Sequence, residues 1–483
     1  MICEANFFFF ISVLDKSLMS LRFSKVYRHA LTQAIILGLL SFTQPGIWDA
    51  ISGMGAGGLE TVETANASQA ITFGLMVVVS PFFAIFTNKL GVEPVISFGT
   101  IGFVFWSAGL YLNSKNGTQS LIIAGAAICG VTASAFWIGE TTVAILYPQQ
   151  SERGLFIGIW QAINKIGSLI AGAITLALNI NDNKGGKVGL STYIALIAIQ
   201  CLGFPLSFLL SSPEKVRRSD NSAVKSNIRN KTLKEEVVLF YKVLQKKETM
   251  CLAPIFLSFA WFNTWQSNYT THHFSVRARA LSSFLSAIIT GVTDIFSGYV
   301  YDLKYFKRST RIKYSWTIVV ILMTGFIIFS LVVQKGFDSN PESGIDWSGN
   351  LRFIRNFVPF QVFRISKEAL PVWVYWVIGA YQFRAEEIAY VSSLLRLLES
   401  LGECLSFVVG AVNSNDMINL AVSVGIFYLS VLPVTYVVLQ TEDNQAEHIN
   451  HVNDTDKLDL YKEQGVNDQS YKKENINVKA VQI

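Results

Sequence analysis

Apolar stretches of about 20 residues recur along this chain, and they leave few choices of fold. A hydrocarbon slab of about 30 Å takes about 20 apolar residues at helical rise. Lipid offers no partner for backbone N–H and C=O groups, so a chain that crosses it must close its hydrogen bonds within each segment, as a helix does. Runs of this kind cover 30–50, 70–87, 94–112, 120–147, 154–180 and 190–211. After a basic stretch they resume at 250–270, 281–301, 314–334, 357–381, 388–411 and 418–439. The sequence therefore predicts an all-α membrane protein with twelve transmembrane helices in two six-helix bundles.

Composition agrees. Only 15% of the 483 residues are charged, against about 25% in soluble domains. A net charge of +5 is too small to point to nucleic acid. The cysteines Cys3, Cys129, Cys201, Cys251 and Cys404 are scattered, without the spacing of a metal site or a disulfide framework. No cofactor and no metal are expected. The start does not read as a signal peptide: Phe7 to Leu14 is short, Glu4 stands where positive charge belongs, and no small-residue cleavage site follows.

The predicted order is a cytoplasmic segment 1–29, a first bundle 30–212, a basic linker 213–248, a second bundle 249–439 and a disordered tail 440–483. The linker holds ten lysines and arginines between Lys215 and Lys247. With both termini cytoplasmic, Lys16, Arg22, Lys25, Arg28, this linker and the cluster Lys304 to Lys313 lie inside, as the positive-inside trend requires. Two glycosylation sequons, at Asn66 and Asn116, then fall on the opposite side. The tail is rich in Asn, Asp, Gln and Lys and cannot bury enough apolar surface to fold.

Several motifs occur in order: Gln44-Pro-Gly-Ile-Trp-Asp49 running into Gly53, Gly55, Gly57 and Gly58; Trp137-Ile-Gly-Glu-Thr141 with Tyr147-Pro148 and Arg153-Gly154; Gly167 to Ile174; Val216-Arg-Arg-Ser-Asp220; and His273 to Leu281. Together they resemble the Unc-93-like branch of the major facilitator superfamily in its fungal form, over roughly 27–440. The resemblance implies a twelve-helix facilitator fold and transmembrane transport of an unassigned species. Animal relatives are associated with channel regulation or with escorting other membrane proteins, so fold alone does not decide function. The turn Asn88-Lys-Leu-Gly-Val-Glu-Pro94 lacks the acidic and twin basic residues of the sugar-type facilitator signature, and Asp294 with Gly298, Asp302 and Arg308 resembles that signature only loosely.

Charges inside spans cost several kcal/mol unless paired or wet. Glu140 lies about 12 Å, and Lys165 about 16 Å, along consecutive antiparallel spans from their shared turn. They are expected to form an ion pair, either a switch or a static pair; alternatively Lys165 snorkels to water. Arg396, Glu399 and Glu403 share one helical stripe by spacing. That stripe either faces a wet cavity or forms an internal Arg396–Glu399 bridge, with Glu403 bonded to a neighbouring helix. Lys367 and Glu368 either join this network or lie nearer the surface. Asp49 with Gly55, Gly57 and Gly58 reads as a flexible cavity rim or as an ordinary turn.

Small residues Gly167, Ser168, Ala171 and Gly172, and Gly125, Ala126, Gly130 and Ala133, are expected to be packing faces. Trp261, Trp265 and Tyr269 line a cavity or sit at the membrane interface. His272, His273, Arg277 and Arg279 form either an anion-capturing cluster or a salt-bridged loop. No catalytic constellation is visible, so an enzyme is not expected. The partners implied are the lipid bilayer, an unidentified small solute and, in the alternative, another membrane protein. The leading reading is solute transport by alternating access, with or without ion coupling through the intramembrane carboxylates. The alternative is a non-transporting protein that regulates a channel or escorts others.

Overall fold

A computed structural model of the protein describes residues 26–53, 62–149, 151–178, 189–224, 232–303, 305–340, 342–348, 351–381, 383–412 and 415–441. The predicted tail, beyond Thr441, and the predicted rim glycines Gly55, Gly57 and Gly58 lie outside the described residues.

Every apolar run forms helix. Helix α1 is Ala30–Ser41, continued through a π-helical turn at Phe42–Gly46 into Ile47–Gly53. Pro45 sits in that turn. Proline has no N–H to give the i−4 ladder, so widening the turn there lets the helix continue. Then follow α2 (Val62–Leu90), α3 (Val92–Asn116), α4 (Gln119–Leu146), α5 (Arg153–Leu178) and α6 (Leu190–Ser207). Beyond the linker's own helix α7 (Leu233–Leu244) come α8 (Lys247–Ser258) and α9 (Phe262–His273), then α10 (Val276–Tyr301) and α11 (Arg308–Ser339). The last three are α12 (Leu351–Ala380), α13 (Ala385–Val412) and α14 (Asp416–Leu439).

Nine helices among the described residues are long and apolar enough to cross a membrane. The segments α8–α9, α12 and α13 occupy the other expected span positions but carry more charge or a break, and the mid-span charges Arg364, Lys367 and Glu368 of α12 and Arg396, Glu399 and Glu403 of α13 line the interior. Helix α2 starts eight residues before the expected 70, because Asn66 and Gln69 on its first turns are buried in the bundle instead of marking its end.

The outer surface is apolar. Val78, Phe82 and Phe86 on α2, Ile321, Ile328 and Val332 on α11, and Leu429 and Leu432 on α14 are all exposed. This inversion suits acyl chains as solvent. Inside, glycines let backbones touch. A Cβ on Gly125 would meet Phe105 O of α3 at 2.6 Å, and one on Gly130 would meet Thr72 O of α2 at 2.5 Å. On α5, Gly167 abuts Phe42 of α1 and Gly172 lies against Phe284 of α10. These are the packing faces that the small residues announce.

The part of the linker next to α6 is tied down rather than loose. Arg217 N donates to Arg28 O at 2.8 Å, and Ala30 N donates to Arg217 O at 2.9 Å. Arg218 Nη2 donates to Leu146 O at 2.8 Å and Nε to Tyr147 O at 3.2 Å, which satisfies carbonyls at the end of α4. Helix α7 opens on a capping box of Thr232 and Glu235.

Candidate functional site

Two connected cavities lie between the helices before the linker and those after it. The larger has a volume of about 180 Å³ and the smaller about 130 Å³. Both are bounded by Trp48, Asp49, Phe73, Lys165, Asn263, Lys367, Glu368 and Glu403. The larger extends to Asn66, Gln266 and Ser283, and the smaller reaches Trp137, Tyr375, Arg396 and Glu399. Eight charged side chains thus meet in one space: Asp49, Glu368, Glu399 and Glu403 against Lys165, Arg364, Lys367 and Arg396.

Lys165 is the hinge of this arrangement. Its Nζ lies 3.1 Å from Glu368 Oε1 of α12 and 3.8 Å from Asp49 Oδ2 of α1. The expected Glu140–Lys165 pair is therefore not formed. Consecutive spans do bring the two residues to a similar depth, but α5 turns Lys165 toward the cavity while Glu140 faces α1. Ser41 Oγ donates to Glu140 Oε1, and Trp160 Nε1 donates to Ser41 Oγ at 2.7 Å and to Glu140 Oε1 at 3.4 Å. Glu140 is fully buried, and its Oε2 has no partner among the described residues.

The stripe on α13 combines both expected readings. Arg396 pairs with Glu399, donates to the Tyr375 hydroxyl and lies 4.3 Å from the centre of the Trp137 ring. Glu403 accepts from Asn263 Nδ2 of α9. All three also line the wet space. Lys367 and Glu368 are part of the same network and not surface groups. Asp294, on α10 behind the cavity, is fully buried, and neither carboxylate oxygen has a partner among the described residues.

Other expectations need correction. Asp49 is not a rim residue: it stands in the cavity wall, while the predicted rim glycines Gly55, Gly57 and Gly58 lie outside the described residues. Asn66 is buried within α2 and lines the cavity, so a glycan cannot be attached there. Asn116 is exposed at the end of α3. Trp261, Trp265 and Tyr269 are core residues, not cavity or interface ones; Trp265 stacks on Tyr269 at 5.2 Å and donates to Gln334 Oε1 at 2.8 Å. The histidine–arginine cluster is a salt-bridged loop. Arg277 clamps Asp346, with Nε at 2.8 Å from Oδ1, and His272 Nδ1 lies 2.9 Å from Asp416 Oδ2. Asp346 also accepts from Ser275 Oγ at 2.7 Å, and these donors hold its carboxyl well below the usual carboxylate range.

Sequence reading missed the aromatic frame of Trp137, Trp160 and Tyr375 and the amides Asn263 and Gln266. Trp137 stands in a motif with Glu140, which was the available signal. Asn263 and Gln266 share one face of α9 by spacing, but amides in an apolar run give no charge to notice.

Three hydrogen bonds tie the two sets of helices together toward one end. Arg153 Nη1 donates to Gly379 O at 2.5 Å, Leu155 N donates to Asp302 Oδ2 at 2.8 Å, and Ser393 Oγ donates to Ser80 O at 2.9 Å. Each of these bonds joins a helix before the linker to one after it. This is the end that carries the linker and the basic residues Lys307, Arg308 and Arg311.

The Major Facilitator Superfamily family model matches residues 58–406. A protein of Aspergillus versicolor named Notoamide biosynthesis cluster protein O' is 27% identical over 434 residues, which cover 89% of this chain and 94% of that protein. An UNC93-like protein of Schizosaccharomyces pombe is 24% identical over 395 residues, 81% of this chain and 78% of its own. Among solved structures, the human organic anion transporter MFSD10 superposes with a TM-score of 0.59 at 11% identity, covering 84% of this chain and 99% of that one.

Proposed function

Because the chain belongs to the major facilitator superfamily and groups with its Unc-93-like proteins, we propose that it moves a small solute across a membrane by alternating access through the central cavity. The observation that carries this reading is the Lys165–Glu368 bridge, which crosses the wet space between helices on either side of the linker. Rocking one bundle against the other around a midplane site must make and break such a bridge. In this reading 30–212 and 249–439 are the two moving bundles, twelve helices span the membrane, and the basic end faces the cytoplasm. Asn116 is the glycan acceptor on the other side.

Glu140 and Asp294 are the groups for ion coupling. Both are dry, and neither has a cation within 4 Å among the described residues. An ionised carboxylate without a contacting cation in such a place is costly, which makes these two the positions at which a coupling ion would be taken up and released.

The test is flux. Protein in liposomes loaded with a pH-sensitive dye is offered a panel of small organic acids, amino acids and sugars. Transport predicts saturable uptake that Glu368→Gln reduces at least about tenfold, the loss of one buried charge-assisted contact. Glu140→Gln and Asp294→Asn should flatten the dependence of uptake on pH. A second reading rests on the turn 88–94, which lacks the facilitator signature: a membrane partner that regulates a channel or escorts another protein. Absence of any flux, with co-purification of another membrane protein in stoichiometric amount, would favour it and end the transport reading.

A further inference from the structure

Four cations reach the cavity, and they are not matched alike. Lys165 has two carboxylates within 4 Å, and Arg396 has Glu399. Lys367 and Arg364 have none among the described residues, although both line the larger cavity. Arg364 rests over the Phe360 ring at 5.1 Å, and its Nε has no hydrogen-bond partner. The two lie three residues apart on α12, hence on one face, where like charges repel. Glu368 lies near enough to act electrostatically on both, and Glu403 on Lys367, but neither cation has a carboxylate in direct contact among the described residues, so donor capacity facing the cavity is left for a ligand to fill.

The uncharged groups point the same way. In the same cavity, Asn66 Nδ2 and Gln266 Nε2 are buried donors without acceptors. Trp48 Nε1 and Arg364 Nε are in the same position, against one acceptor, Gln69 Oε1, so the unpartnered groups in the wall of the larger cavity are mostly donors. A carboxylate answers them: it offers two oxygens and about four lone-pair sites, and it accepts from arginine in a planar, paired geometry. A volume of about 180 Å³ is well below the roughly 300–1,000 Å³ of sites for drug-sized ligands. We infer that the Arg364–Lys367 face of α12 binds the carboxylate of a small organic acid. This rests on the proposal that the cavity is the solute site, and it names the solute's chemical class.

The experiment measures binding, not flux. Full-length protein in detergent is titrated with lactate, succinate or inorganic phosphate at constant ionic strength set with chloride, and its thermal midpoint is followed. Lactamide and succinamide serve as uncharged controls. At least one of the two carboxylates is expected to raise the midpoint saturably, with the amides and phosphate giving no shift. Lys367→Gln and Arg364→Gln each weaken the effect about tenfold or more, as loss of a charge-assisted hydrogen bond predicts. Lys367→Arg retains most of it, and Lys335→Gln, at an exposed position outside the cavity, leaves it intact.

A shift by amides equal to that by acids, a full shift in Lys367→Gln, or no shift by either carboxylate would each overturn the inference. A shift by phosphate alone would also overturn it, in favour of an inorganic anion. Carboxylate binding without flux would sink the transport reading and leave this one standing. Flux of a neutral solute without carboxylate binding would do the reverse.

Discussion

Lys165 shows how a single ionised group is held in this bundle. Its two carboxylates come from α1 and α12, so neither neighbouring span is its partner. Breaking a buried pair by removing one member costs up to about 3–5 kcal/mol; here Lys165 is 17% exposed, and solvent screening lowers that figure. Lys165→Met and Glu368→Gln are each expected to lower the thermal midpoint in detergent by several degrees. The double variant should recover part of the sum, with a coupling of about 0.5–3 kcal/mol. Strict additivity would mean that the pair does not interact.

Asp346, outside the spans, gives a pH-dependent counterpart. Its folded carboxyl titrates below the unfolded value of about 3.9, so its stabilisation is present at neutral pH and is lost as pH falls through and below that value. Asp346→Asn should lower the midpoint at pH 7 by an amount corresponding to about 1–3 kcal/mol. The gap from the parent should narrow below about pH 4; a gap that is constant with pH would assign the loss to packing alone. At this scale most of the charged residues that line the cavity stand out in the sequence, because an ionised group in an apolar run is conspicuous; Arg364 was not singled out. The sequence did not name their partners, since depth along a helix says nothing about which way a side chain turns.

At the scale of elements, the α5–α10 seam depends on missing side chains. A Cβ on Gly154 would meet Gly298 O at 2.6 Å, and one on Gly158 would meet Asp294 O at 2.9 Å. Both obstacles are backbone, which cannot swing aside. Gly158→Val is expected to cost about 1–3 kcal/mol by overpacking and to lower the yield of folded protein in detergent. Gly425→Ala, in α14 where nothing lies within 4 Å of the added carbon, should be neutral or stabilising by up to about 1 kcal/mol. Equal behaviour of the two variants would show that the seam is looser than drawn. Helix existence and small-residue faces were legible here, because lipid imposes both length and close approach. The π-turn of α1 was not legible as such. Pro45 warns of a fault in the ladder, but whether the helix breaks, kinks or widens depends on what packs beside it, and here Ser168 Oγ donates to Gly46 O at 2.8 Å. The polar first turns of α2 were misread as loop for a related reason: Asn66 and Gln69 belong to a wet interior that hydropathy cannot distinguish from the membrane edge.

For the whole molecule, the all-helical membrane fold could be read from the order of apolar and basic segments, but the cavity could not. It is assembled from residues on opposite sides of the linker, and no local pattern links Lys165 to Glu368 or Asn263 to Glu403. The same assembly makes alternating access testable without knowing the solute. In the present state the two sets of helices are tied together toward the basic end by Arg153 on Gly379 O, by Asp302 on Leu155 N and by Ser393 on Ser80 O. If the two bundles rock, these contacts must part once per cycle, because each joins a helix before the linker to one after it. A cysteine pair at Ser80 and Ser393, introduced after replacing the native cysteines, places one thiol on α2 and one on α13 at one of those contacts. Both positions are buried, so the bifunctional thiol reagent must be short and membrane-permeant to join them. Once joined, the protein should keep any ligand binding that reaches the cavity from the opposite end and lose flux to background, and a cleavable reagent should restore flux on reduction. Single-cysteine variants treated alike should keep their flux. Undiminished flux in the joined protein would mean that the basic end never opens, and with it would go both the rocking motion and the role of the Lys165–Glu368 bridge as its moving part.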